Sequence, residues 1–202
     1  MGIEKNLADF LPSDVEAVVA SERNYAARYN RQSEPRAILL AGQPGAGKTV
    51  LSSMLNKLLC GNVYFINADE YRRFHPNYKE LYARYGSDSV QMTSGFSGAV
   101  TERLIHETSE RGIHLIIEGT GRTTDVPHRT AELLVKKGYR VELAVIATRP
   151  EHSLCSTLLR FYEMNERGTI PRATAVEAHD YVVRVLPDNL DILRDDPVIS
   201  GI

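Results

Sequence analysis

Four short apolar runs, separated by longer stretches of helical period, lay out the chain. Residues 37–41, Ala-Ile-Leu-Leu-Ala, are apolar without alternation, the pattern of a strand buried on both faces. Residues 63–66, 114–117 and 141–146 predict a second, third and fourth strand. Around them the spacing changes to that of helices. In residues 12–30, Val15, Val18 and Val19 recur on one side, Pro12 stands at the start, and Ser13 with Glu16 has the S-x-x-E spacing of a capping box. Further helices are predicted over residues 50–59, 94–111 and 150–166. Another spans 127–137, opened by Asp125 and closed by Gly138. Thr174 and Glu177 predict the cap of a last helix, which Pro187 should kink or end.

Strands alternating with helices imply right-handed crossovers and a mainly parallel sheet, here expected to be of five-stranded type, with helices on both faces. The chain reads as one α/β domain over residues 1–202. Residues 1–35 hold an N-terminal helix and connector, and 36–202 the core.

Composition narrows the function. With 43% hydrophobic and 25% charged residues, a chain of this length can bury one large core. A net charge of −2 and the absence of a Lys/Arg run argue against a surface that neutralises nucleic-acid phosphates. No apolar run approaches the length of a membrane span, and the first ten residues lack an apolar signal core. A cytoplasmic, membrane-free protein is expected. Asn6 stands where a myristoylation signal after Gly2 wants Ser or Thr. Cys60 and Cys155 lie far apart without metal or redox spacing, and are expected to be reduced thiols in the core.

Gly42-Gln43-Pro44-Gly45-Ala46-Gly47-Lys48-Thr49 fits G-x-x-x-x-G-K-[ST] between an apolar strand and a helix. Such a loop aims successive backbone N–H groups into one concavity, and the helix start adds partial positive charge for phosphate oxygens. Lys48 would reach the β- and γ-phosphates of a nucleotide, and Thr49 would place its hydroxyl on Mg²⁺. A phosphotransferase using ATP or a similar nucleotide, magnesium and a small hydroxyl acceptor follows.

Asp69 closes the second strand, at the edge where open α/β sheets bind ligands. It could take the proton of an attacking hydroxyl, or cap a short helix over residues 70–74. Glu118 ends the third strand and begins Glu118-Gly119-Thr120-Gly121-Arg122-Thr123-Thr124. It could help hold magnesium or bind a substrate hydroxyl, while the loop could equally be a plain turn. Arg160 and Arg172 could clamp a phosphate, or be two solvated arginines among many. The six histidines have no metal spacing, and Tyr71, Tyr78, Tyr82 and Tyr85 read as packing and rim residues.

Together these segments resemble the zeta-toxin family of bacterial toxin–antitoxin systems. The resemblance is carried by the Gly42–Thr49 loop and by Ile66-Asn67-Ala68-Asp69 with His75-Pro76-Asn77-Tyr78. It continues in Glu118-Gly119-Thr120-Gly121-Arg122-Thr123-Thr124-Asp125-Val126-Pro127, in Arg172-Ala173-Thr174 with Ala178-His179-Asp180, and in Leu186-Pro187. It implies a P-loop kinase of UDP-N-acetylglucosamine that phosphorylates the 3′-hydroxyl of the amino sugar, with ATP and Mg²⁺. On the same resemblance Lys48 and Thr49 hold phosphate and magnesium, and Asp69 is the catalytic base. Glu102, Glu118, Thr120, Arg122 and Thr130 line the sugar-nucleotide pocket, and Arg160 and Arg172 contact phosphate. A separate small helical antitoxin would block the nucleotide site. The family pattern continues into further sheet or helix past the point that Ile202 matches.

Two other readings stay open. One is a kinase of a nucleoside or antibiotic hydroxyl, which has no need of the Glu118–Pro127 string. The other is a non-catalytic nucleotide switch, for which neither an N-K-x-D guanine reader nor an L-S-G-G-Q signature is present.

Overall fold

The computed structural model describes residues 6–171 and 173–202. The four predicted strands form one sheet: β1 (Arg36–Ala41), β2 (Val63–Asn67), β3 (His114–Glu118) and β4 (Arg140–Val145). Their order is β2-β3-β1-β4, and every pair is parallel. The fifth strand is not formed among the described residues, but its lane is begun. Ser200 N–H donates to Val141 O at 2.7 Å, and Leu143 N–H donates to Gly201 O at 2.9 Å. Both residue numbers rise together, so this short segment runs parallel to β4 along its outer edge.

Alternation along β1 explains the two-sided core. Ala37, Leu39 and Ala41 point into the larger cluster, Ile38 and Leu40 into the smaller one. On the larger side lie α1 (Pro12–Ala26), α6 (Ser94–Glu110), α7 (Asp125–Lys136) and α9 (Val176–Arg194). On the other side α2 (Lys48–Leu58) packs Leu51 and Leu55 against the sheet. Helix α6 shows why periodicity becomes packing. Phe96, Val100 and Leu104 recur every fourth residue and are fully buried, each contributing roughly 1.5–3 kcal/mol of apolar burial.

The helix ends differ from their predicted caps. α1 is capped at Leu11 rather than Ser13, because Asp14 reaches back to accept the Leu11 N–H at 2.8 Å. Its last regular residue is Ala26; residues 27–30 continue as turns. α9 starts after Ala175, with no side-chain cap from Thr174. It also runs unbroken through Pro187 to Arg194. Proline cannot donate to the carbonyl four residues back, yet Val182, Leu186 and Leu193 bury the same face on both sides of it, and tertiary packing outweighs the lost bond. Both cysteines are exposed thiols rather than core residues. Cys60 sits in the turn after α2, where the chain takes a positive φ of 54°.

The stretch between β2 and α6 holds several short helices, α3 (Ala68–Tyr71), α4 (Tyr78–Tyr85) and α5 (Ser89–Met92). Within it, Asn77 Nδ2 donates to Leu7 O at 2.9 Å, and buried His75 packs edge-on against Phe10 and Phe96. The His75–Tyr78 string therefore fastens the N-terminal segment to the core. Among the described residues, no helix is long and apolar enough to cross a membrane.

Candidate active site

At the carboxyl end of β1 the chain leaves the sheet at Gly42 and enters α2 at Lys48, with Gly47 as N-cap in a left-handed conformation. Gly45 explains why the loop must be glycine-rich. Its φ is +77°, and a Cβ there would lie 2.0 Å from the carbonyl oxygen of Ser153. The loop is thus pressed onto the first turns of α8 (Pro150–Glu166). Gln43 donates its side-chain amide to Thr148 O, and Thr148 Oγ1 donates to Ala46 O at 3.0 Å. These bonds fasten the loop to the segment after β4. Buried Ser153 in turn meets buried His179 of α9, with 2.7 Å between Oγ and Nε2.

Lys48 Nζ donates to Gly42 O at 2.8 Å and to Gln43 O at 3.3 Å. Its burial pulls the ammonium below its ordinary lysine value; Glu118 and Asp69 push it back up, and Arg160 pushes it down. Charges on three other elements therefore converge on this one ammonium: Asp69 of α3, Glu118 at the end of β3 and Arg160 of α8. Arg160 is half-buried beside the loop, unlike a fully solvated surface arginine. Thr49 is the second residue of α2 and is exposed.

Sheet register sets the acidic groups. Glu118 pairs with Leu40 on one side and with Asn67 on the other. Asn67 Nδ2 donates to Glu118 Oε2 at 2.9 Å, and Asn67 Oδ1 accepts the N–H of Asp69 at 3.0 Å. Asn67, not Asp69, is thus the cap of the short helix. That removes the capping role sequence spacing allows for Asp69. The Asp69 carboxylate instead accepts from Arg72 Nε, 2.9 Å from Oδ1.

The loop after β3 is held rather than loose. Gly119 N–H donates to Leu40 O at 2.8 Å, and Asn189 Nδ2 of α9 donates to Gly121 O at 2.9 Å. Gly121 has φ +73°, and a Cβ there would meet Leu186 Cδ1 at 2.5 Å and Ala41 Cβ at 3.3 Å. So Leu186 and Asn189 clamp this loop against the end of β1. Thr120 is half-buried in it and Arg122 exposed. Thr130 is half-buried in α7 and Glu102 exposed on α6; neither is among the charges or partners that act on Lys48. Arg172 lies outside the described residues. Asn67 and Arg72 are the site residues that motif reading passes over. The signal for Arg72 is its i,i+3 spacing from Asp69 on a helical turn.

No group of three or more His, Cys, Asp or Glu suited to a metal occurs among the described residues.

A family model described as Zeta toxin matches residues 20–200. Toxin PezT of Streptococcus pneumoniae serotype 4 (strain ATCC BAA-334 / TIGR4) is 43% identical over 198 residues, which cover 97% of this chain and 78% of that protein. Toxin zeta of Streptococcus pyogenes is 42% identical over 169 residues, 83% of this chain and 59% of the relative. A solved structure of the PezAT chromosomal toxin–antitoxin system of S. pneumoniae superposes with a TM-score of 0.85 at 38% identity, covering 97% of this chain and 77% of that one. The parallel sheet with its glycine-rich loop after β1 has a P-loop kinase-like fold.

Proposed function

Because this chain belongs to the zeta toxin family, we propose that it is a kinase that moves the terminal phosphoryl group of ATP to the 3′-hydroxyl of the amino sugar of UDP-N-acetylglucosamine, or of a related UDP-sugar, and so acts as a bacterial toxin. One observation carries the reading: Asp69, Glu118 and Arg160, from three other elements, all act electrostatically on Lys48 of the glycine-rich loop at one end of the sheet. Phosphoryl transfer asks for such a set, with cations on the donor phosphates and a carboxylate at the acceptor hydroxyl.

In this mechanism the N–H groups of the Gly42–Thr49 loop and the start of α2 cradle the phosphates. Lys48 leaves the carbonyls of Gly42 and Gln43 to bind phosphate oxygens, and its partial desolvation strengthens that attraction. Arg160 neutralises charge that grows on the moving phosphoryl group, a role Arg172 shares in this reading. Asp69 takes the proton of the acceptor hydroxyl as its oxygen attacks. Mg²⁺, held through the Thr49 hydroxyl, would supply charge neutralisation across the phosphates when bound. Glu118 and the Thr120–Arg122 loop, with Thr130 and Glu102 on the flanking helices, would orient the sugar nucleotide. The toxin–antitoxin system named for the pneumococcal structure supports a separate antitoxin as partner.

The test is an acceptor screen by mass spectrometry, with ATP, Mg²⁺ and a panel of UDP-sugars, nucleosides and aminoglycosides. The reading predicts a mass gain of one phosphoryl group on UDP-N-acetylglucosamine. Phosphorylation of a nucleoside or aminoglycoside alone would make the chain a different small-molecule kinase. ATP turnover that ignores every acceptor would favour a nucleotide switch.

A further inference from the structure

Asp69 is exposed, with 57% of its side chain open to solvent, whereas Lys48, Glu118 and Arg160 are half-buried, and it sits on a helix only four residues long. Its partner Arg72 is different. Only 18% of the Arg72 side chain is exposed, and its Nη1 donates to Val90 O at 2.5 Å and to Thr93 Oγ1 at 3.3 Å. Thr93 is fully buried, and its own hydroxyl donates to Ser89 O at 2.9 Å. The guanidinium is therefore fixed by the corner between α5 and α6, and its Nε fixes Asp69 Oδ1 in turn.

We propose that Arg72 is a positioning residue for Asp69: through the hydrogen bond from its Nε to Oδ1 it orients the carboxylate toward the acceptor hydroxyl. The inference rests on Asp69 being the base. Energetics favour this role over a stabilising one. A half-exposed ion pair adds little to stability, whereas a guanidinium anchored on Val90 O and Thr93 Oγ1 orients the carboxylate it meets with little entropy left to lose. Arg72 is not the sole charge on Asp69. Lys48 of α2 couples to it directly, and Glu118 and Arg160 act on that same lysine. Arg72 lies on the helical turn of Asp69 itself, so its removal changes the base before it changes the donor site.

The experiment follows kcat, KM for each substrate and the carboxyl titration of Asp69 by ¹³C NMR in wild type, Arg72→Gln and Arg72→Lys. Arg72→Gln should lower kcat about 10- to 100-fold with KM nearly unchanged, and should move the Asp69 titration to higher pH. Arg72→Lys keeps a cation without the fork, so it should fold and recover part of both effects. In an Asp69→Asn background, Arg72→Gln should cost no further activity. A strongly slowed Asp69→Asn whose residual rate still falls with Arg72→Gln would reduce Arg72 to a brace and overturn this proposal alone. So would an unmoved Asp69 titration in Arg72→Gln. Wild-type turnover by Asp69→Asn would overturn the base assignment itself.

Discussion

Asn67 donates its side-chain amide to Glu118 Oε2 at 2.9 Å, joining the ends of the two strands that carry the site's acidic residues. Its other amide atom, Oδ1, accepts the Asp69 N–H, so one side chain sets the positions of both Glu118 and Asp69. Asn67→Asp separates the two functions. Aspartate still caps the short helix, but it cannot donate to Glu118 and places a like charge against it. We expect a loss of roughly 1–2 kcal/mol, or about 2–8 °C in Tm, with reduced turnover. Wild-type Tm and turnover would show that the Asn67–Glu118 bond contributes nothing.

Lys48→Met should abolish phosphoryl transfer without lowering thermal stability. Burial holds the Lys48 pKa below its ordinary 10.5. The folded state therefore holds this proton less tightly than the unfolded chain does, so desolvation of the ammonium counts against the fold while Lys48 is charged and is relieved as pH rises through the folded pKa. Methionine keeps the aliphatic stem and removes that charge. Calorimetry at pH 7 with a parallel turnover assay checks both halves. A turnover near wild type would remove Lys48 from the phosphate site.

Arg160→Ala should lower kcat more than it raises the Kd for ATP, because the charge it meets develops on the moving phosphoryl group. Isothermal titration with a non-hydrolysable ATP analogue, beside steady-state kinetics, separates the two. Equal losses in binding and rate would make Arg160 a ground-state contact.

His114 ties the beginnings of two strands together, its Nδ1 accepting the Arg36 N–H at 2.9 Å. Burial and the nearby Arg36 charge hold its pKa below 6.5, so the folded state keeps it neutral. The unfolded state then binds the extra proton. Stability from this group is present above pH 6.5 and is lost as pH falls toward the folded pKa, at no more than about 1.4 kcal/mol per pH unit. Urea titrations at pH 7.5 and 5.5 should show a smaller acid loss for His114→Gln than for wild type. Identical losses would exclude His114 as a source of the slope.

The strands were legible because each is a short apolar run buried on both faces, and composition alone marks such runs. The glycine-rich loop was legible because its chemistry demands adjacent residues. Caps were not. Leu11 caps α1 only because Asp14 reaches back to it, and Ser13 offers the same local pattern without being used. Pro187 reads locally as a helix end, and only the burial of Val182, Leu186 and Leu193 against distant residues carries α9 past it. The fifth strand depends on what lies beside β4, which local sequence does not encode. In the site, the partnership of Asn67 with Glu118 is a matter of strand register between residues 51 apart. The grip of Arg72 on the α5–α6 corner likewise exists only after folding.

The central claim is that Asp69 takes the proton of the acceptor hydroxyl, and Asp69→Asn tests it most directly. Asn67 already caps the helix, so the substitution leaves the cap in place, and an amide preserves the size of the side chain. General-base loss typically lowers the rate by a factor of about 10² to 10⁴. The measurement is the rate of UDP-N-acetylglucosamine phosphorylation by Asp69→Asn, with Tm and ATP binding determined on the same preparation. The account predicts a folded protein that binds ATP as wild type does and transfers phosphoryl groups at least about 100-fold more slowly. A folded Asp69→Asn that phosphorylates the sugar nucleotide at the wild-type rate would contradict it.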